Sequence, residues 1–141
     1  MAGIRVNDRT TREECDGLEL AARDNETEGP FYMGARDDRG VVVNVDRRGR
    51  VRELLPGPSR RLRNHSPDGF EWGYSGSGPA QLALAILLDF FDCETTALRY
   101  YQGFKEEVIA TLKDASWEIT PHTMRAWVDS VRKAKGEDIW K

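Results

Sequence analysis

The chain has 141 residues and a net charge of −3, with 39% hydrophobic and 32% charged residues. This composition predicts one globular domain, large enough for a real core but too short for two. The longest apolar run, residues 82–88, spans seven residues, whereas a membrane helix needs about 20. The first residues also lack the apolar core of a signal peptide. We therefore expect no membrane association.

Cysteine and histidine usage argues against a disulfide framework and against a metal site. Cys15 lies in a charged leader and Cys93 at a helix junction, so the two do not form a framework. His65 and His122 are 57 positions apart, without ligand spacing. We expect a cytoplasmic, reducing location and neither a metal nor a cofactor.

The charges are segregated along the chain. Residues 1–29 hold four arginines against eight acidic residues, and residues 64–141 hold eight basic against twelve acidic residues. Between them, residues 30–63 hold nine arginines against four acidic residues and no lysine. The middle third is therefore a basic stretch inside an acidic protein.

The first part of the chain predicts an arm followed by a sheet. Residues 1–29 have few large apolar groups, so we expect a mobile acidic arm. Residues 31–35, 41–45 and 50–55 have strand-like patterns separated by turn sequences, which predicts a three-stranded antiparallel meander. Its arginines at 36, 48, 50 and 52 are expected on the solvent face or at turns. The sequence of residues 60–63 predicts a short edge strand.

The second part predicts three helices. Ser77 is placed as the N-cap of a helix at about residues 79–91, whose apolar residues leave no polar face, so it should be central and buried. A stripe at helical spacing predicts a second helix over residues 97–112. Residues 117–119 form an extended link, and Thr120 caps a third helix that starts at Pro121. The fold class is α+β, with one domain over residues 30–135 and a frayed tail at 136–141.

Several motifs resemble a family of small domains of unknown function that we associate with prokaryotic and viral genomes. The similarity covers about residues 31–130 and omits the leader. It rests on the signature GFEWGYxGSGPAQ at residues 69–81, with Tyr32, Gly34, residues 64–67, Tyr101, Gln102, Phe104, Lys105, Trp117 and Trp127. The family implies no established activity.

The glycine-rich loop before the buried helix allows two interpretations, an anion-binding site and a structural turn. Backbone N–H groups at a helix start could hold an anion, and Arg60, Arg61 and Arg63 could assist. However, Pro79 removes one donor, and the spacing matches neither a P-loop nor a dinucleotide fingerprint. A plain structural turn is the competing explanation.

Acidic and histidine side chains near this loop are the candidate catalytic groups. His65, Ser66, Asp68 and Glu71 lie within seven residues of one another, but no nucleophile elbow surrounds Ser66. Glu71 between two aromatic residues would need Arg63 or backbone donors as partners. Asp89 and Asp92, one helical turn apart, could hold a hard cation, although an exposed helix end is the simpler reading.

The sequence leaves three functions open. The first is a non-enzymatic module that binds a protein partner, in a regulatory or phage–host role. The second is nucleic-acid binding through the arginine-rich sheet at residues 36–63. The third is a phosphate-binding or hydrolytic enzyme using the loop with Glu71 and His65. The candidate binding residues are Arg60, Arg61, Arg63, Glu71, Trp72, Tyr74, Ser75 and Ser77.

Overall fold

The structure is a computed structural model that describes residues 29–140, with side chains described as far as residue 134. The strands are β1 (Phe31–Asp37), β2 (Gly40–Arg47), β3 (Arg50–Glu53) and β4 (Ser116–Ile119). The helices are α1 (Gly57–Leu62), α2 (Ser77–Phe91), α3 (Glu94–Glu107) and α4 (Pro121–Trp140), with a 3-10 turn at Ile109–Thr111. The predicted α+β class is confirmed. The predicted acidic arm lies outside the described residues apart from Gly29, and fraying after Gly136 stays a prediction.

The described sheet has four antiparallel strands in the order β3-β2-β1-β4, not three. The predicted extended link at residues 117–119 is a strand that pairs with β1, with Ile119 opposite Tyr32 and Trp117 opposite Gly34. Trp117 leaves no room for a side chain at residue 34, because an added Cβ would lie 2.4 Å from its ring. A four-residue strand is too short to give a clear periodic pattern, so the sequence did not reveal this pairing.

The prediction of an edge strand at residues 60–63 was wrong, because a fourth helix covers most of this segment. α1 starts at Gly57 with Pro58 in its first turn, a position where proline's missing N–H and fixed φ suit a helix. Ser59 is fully buried, and its hydroxyl donates to Pro56 O at 3.0 Å. The run of arginines that suggested a strand therefore lies on the last turn of a short helix.

α2 lies at the centre of the fold, as its sequence predicts. Leu82, Leu84, Ile86 and Leu87 have no exposed surface. The helix starts at Ser77 and its N-cap is Gly76, so the expected N-cap at Ser77 was wrong by one residue. The aromatic residues packed in the same core are Tyr32, Phe70, Trp72, Phe91, Tyr101, Phe104 and Trp127.

The remaining helices begin close to their predicted positions, but α3 ends at Glu107, before the predicted end at residue 112. α3 carries the buried part of the predicted stripe, including Ala97, Tyr101 and Phe104. Thr120 caps α4 as predicted, since its hydroxyl accepts a hydrogen bond from the Thr123 N–H at 3.1 Å. No helix in the described part of the chain is long and apolar enough to cross a bilayer.

Cys93 corrects the expectation drawn from cysteine usage. It is disulfide-bonded. A disulfide is uncommon in a reducing compartment. Cysteine usage therefore gives no support to the expected reducing location.

Candidate functional site

A cleft of about 510 Å³ lies between the β2–β3 part of the sheet and the glycine-rich loop that leads into α2. We call it the loop cleft. Its lining combines apolar side chains with hydroxyls and carboxylates. The lining residues are Gly40, Val41, Val43, Glu53, Leu54, Pro56, Ser66, Asp68, Gly69, Phe70, Glu71, Tyr74, Ser77 and Gly78.

The glycines of the loop allow close packing at this position. A Cβ added at Gly78 would lie 2.7 Å from the Glu71 Cβ, which is closer than real Cβ contacts come. A Cβ at Gly76 would lie 2.5 Å from the ring of Tyr74. The loop therefore folds tightly over the helix start and holds the Tyr74 ring against its backbone. Tyr74 is 50% exposed at the cleft.

Glu71 is bonded to the fold through Arg36 of β1. The Arg36 guanidinium donates to Glu71 Oε1 at 2.6 Å, and its carbon lies 4.4 Å from the ring centroid of buried Trp72. Arg63, the partner expected from sequence, instead donates to Leu62 O. Glu71 and Arg36 each have 38% of their side chain exposed. Glu71 therefore lines the loop cleft as one member of an ion pair.

His65 belongs to a separate network and does not line the loop cleft. Its Nε2 lies 2.6 Å from the hydroxyl of Tyr101 on α3. The N–H groups of His65 and Ser66 donate to Gln81 Oε1 at 2.7 and 3.0 Å. The Gln81 amide in turn donates to Ser59 Oγ and to Arg63 O. One buried glutamine of α2 therefore holds the loop at residues 63–66 in place.

The charge of the loop cleft is negative. Asp68 and Glu71 line it, the register of β3 places the Glu53 side chain on the opposite side of the sheet, and the lining holds no lysine, arginine or histidine. No hydrogen bond or ion pair with a described residue involves the carboxylates of Glu53 and Asp68. The start of α2 at Ser77 contributes only about half a positive unit charge. A phosphate would therefore meet a net negative site, which weakens the anion-binding reading of the glycine loop.

The other candidate binding residues point away from a shared anion site. Arg60 donates to Pro67 O at 2.7 Å, and Ser75 donates to Glu106 Oε2 at 2.8 Å. Arg61 is exposed on α1. None of Arg60, Arg61 and Arg63 lines the loop cleft. Of the predicted binding residues, the cleft brings together Glu71, Tyr74 and Ser77.

A second polar cluster joins the sheet to the end of α2 at Asp89. Tyr32 donates its hydroxyl to Asp89 Oδ2 at 2.6 Å, Arg47 donates to the same oxygen at 2.7 Å, and Arg52 donates to Oδ1. Only 8% of the Asp89 side chain is exposed. Burial acts to raise the pKa of Asp89, but the hydrogen bonds from Tyr32 and Arg47 and the charges of Arg47 and Arg52 hold that pKa below its ordinary value.

The same cluster raises the pKa of Tyr32. The tyrosine has no exposed surface, and burial raises the pKa of its hydroxyl well above the ordinary value, reinforced by the Asp89 charge. Asp92 does not join Asp89 in a cation site: it is exposed in a left-handed conformation at the C-cap of α2. The described residues contain no group of three acidic, histidine or cysteine side chains that could hold a metal.

The sheet arginines do not form a basic outer surface. The register places Arg36, Arg47 and Arg52 on the same side of the sheet as buried Tyr32, Val43 and Val45, so the expectation that Arg36 and Arg52 stand on the solvent face was wrong. On the opposite side, which we call the outer face, the strands place neither lysine nor arginine. The outer-face residues are Phe31, Met33, Ala35, Val42, Asn44, Asp46, Val51, Glu53, Ser116 and Glu118.

Two residues that shape these sites were missed from the sequence. Arg36 was not recognised as the partner of Glu71, because 35 positions separate the two. Glu53 was not recognised as a residue of the cleft lining, since it comes from a strand end that only the fold brings next to the loop. The alternation of Val41, Val43 and Val45 could have identified the side of the sheet on which Arg47 lies.

Comparisons with known proteins identify the family but no activity. No curated protein and no solved structure matches the chain. A family model matches residues 32–130 and is described as a family of unknown function, DUF6166. The match contains the sheet from Tyr32 onward, the loop cleft and the Asp89 cluster. The chain therefore belongs to the DUF6166 family.

Proposed function

We propose that this domain is a non-enzymatic module that binds a protein partner at the loop cleft. The observation that carries the proposal is the make-up of the cleft. Val41, Val43 and Leu54 give it apolar surface, and Tyr74 is half exposed at it. Aromatic side chains beside partly apolar clefts are typical anchor points for a partner.

The arrangement of titratable groups supports binding over catalysis. An acid–base pair needs two groups that reach one substrate. Glu71 lies in the cleft bonded to Arg36, whereas His65 is bonded to Tyr101 outside the cleft lining. Of the two groups that the hydrolytic alternative uses, the described structure therefore places only Glu71 at the cleft.

Nucleic-acid binding through the sheet has weaker support. Phosphate contacts need a continuous basic surface. Arg47 and Arg52 are bonded to Asp89, and the outer face carries the acidic residues Asp46, Glu53 and Glu118 instead. Arg39 and Arg48 lie at opposite ends of the sheet, in the β1–β2 and β2–β3 turns.

Site-specific photo-crosslinking tests the proposal. A photoreactive phenylalanine analogue at position 74 should capture a discrete protein in cells of the source organism, and the same analogue at exposed Gln102 of α3 should not. Tyr74→Ala should also abolish co-purification of that protein. Equal capture at both positions, or none at either, would overturn the proposal. A salt-sensitive gel shift that requires Arg48 or Arg50 would favour nucleic acid instead.

A further inference from the structure

We infer that the loop cleft receives an arginine side chain of the partner protein. This inference rests on the proposed function and adds the chemistry of recognition to it. The charge, the shape and the aromatic surface of the cleft each favour a guanidinium group as the occupant.

Charge gives the first argument. The carboxylates at the cleft are those of Asp68 and Glu71, and only Glu71 has a cationic partner among the described residues. Asp68 therefore leaves about one negative charge, opposed by about half a unit from the α2 helix start. A cationic group is attracted to this cleft, and charge-assisted hydrogen bonds to its carboxylates give the interaction direction.

The shape of the lining gives the second argument. An arginine has an apolar stem and a charged end, so it suits a site with an apolar floor and polar rim. Val43, Leu54 and Phe70 are buried and supply the floor. Tyr74 supplies a half-exposed ring on which a planar guanidinium stacks better than a compact ammonium does.

The fold itself gives the third argument. One guanidinium already packs against this loop, since the Arg36 guanidinium carbon lies 4.4 Å from the ring centroid of Trp72 and the group donates to Glu71 Oε1 at 2.6 Å. On one side of the loop, a carboxylate beside an aromatic ring therefore binds a guanidinium. Asp68 with Tyr74 offers the same pair of groups at the cleft.

An NMR titration of the full chain tests the inference with small probes. The probe is the N-acetyl, N-methylamide derivative of arginine, with the matching lysine and citrulline derivatives as comparison arms. We expect saturable amide shifts over residues 66–78 with arginine, weaker shifts with lysine, and none with citrulline, which keeps the shape without the charge. Inorganic phosphate is a fourth arm and should leave these amides unchanged.

Variants identify the groups responsible. Asp68→Asn should weaken arginine binding at least about fivefold. The matched control Glu118→Gln removes a carboxylate from the outer face and should bind like the parent. Citrulline shifts equal to those of arginine, lysine binding as strong as arginine, phosphate shifts in their place, or arginine binding unaffected by Asp68→Asn would each overturn the inference. If crosslinking at position 74 persists in that case, the proposed function stands with a different occupant.

Discussion

Glu71 and Arg36 form an ion pair whose two members should differ in their effect on stability. Each has 38% of its side chain exposed, so solvent screens the pair and Glu71→Gln should cost only about 0.5 kcal/mol of unfolding free energy. Arg36→Ala also removes the contact with the Trp72 ring, which adds about 1 kcal/mol. Urea denaturation of both variants and of the double variant measures the coupling. A Glu71→Gln loss above about 2 kcal/mol would show that the pair is not screened.

Asp89 should have a larger effect and should make stability depend on acidic pH. Its folded pKa is below the ordinary value of 3.8, so the charge stabilises the fold above that pH and the contribution is lost as pH falls through the folded pKa. Asp89→Asn should lose about 2 kcal/mol at neutral pH and show a flatter acid dependence. Denaturation from pH 7 to pH 2 measures both effects.

Asp92→Asn is the matched control for that experiment. Asp92 is exposed at the end of the same helix, in a left-handed conformation that asparagine also adopts readily. It should unfold like the parent at every pH. An Asp89→Asn variant that keeps the full acid dependence would show that other carboxylates are responsible for it.

At the scale of elements, Gln81 connects α2 to the loop that follows α1. Its side chain makes four hydrogen bonds while fully buried, to His65 N, Ser66 N, Ser59 Oγ and Arg63 O. Gln81→Leu would leave these groups without their partner, which should cost about 3 kcal/mol or more. Gln102→Leu, at an exposed position of α3, is the control and should melt within about two degrees of the parent. Equal melting of both variants would contradict this role.

The elements that were predictable from sequence are those with a strong local pattern. The apolar run of α2, the stripe of α3 and the Thr120 cap each follow from neighbouring residues, and all three are present. The fourth strand and α1 were missed because their placement depends on tertiary contacts, as with Trp117 against Gly34. The loop cleft was predictable in part. Its loop residues were identified from the sequence, but the sheet residues of its lining, such as Glu53, come next to the loop only in the folded chain.

At the scale of the whole molecule, the two polar clusters divide the arginine-rich stretch. Arg36 stabilises the loop that borders the cleft, and Arg47 and Arg52 join the sheet to the end of α2 through Asp89. The basic stretch therefore contributes to internal contacts, while the cleft and the outer face stay acidic. The linear charge pattern was a poor guide to surface charge because strand register decides which side each arginine occupies.

A truncation that keeps residues 29–134 should fold as an independent domain. The described core extends from Tyr32 to Val128, and the family match covers residues 32–130, so the fragment contains both. We expect cooperative thermal unfolding within about five degrees of the full chain, both measured under reducing conditions so that the Cys93 disulfide does not contribute to the difference. Tryptophan fluorescence and circular dichroism should show the same transition, since Trp72 and Trp127 are buried in that core. Aggregation of the fragment, or a midpoint lower by about 15 degrees, would show that the removed residues, 1–28 or 135–141, stabilise the folded domain.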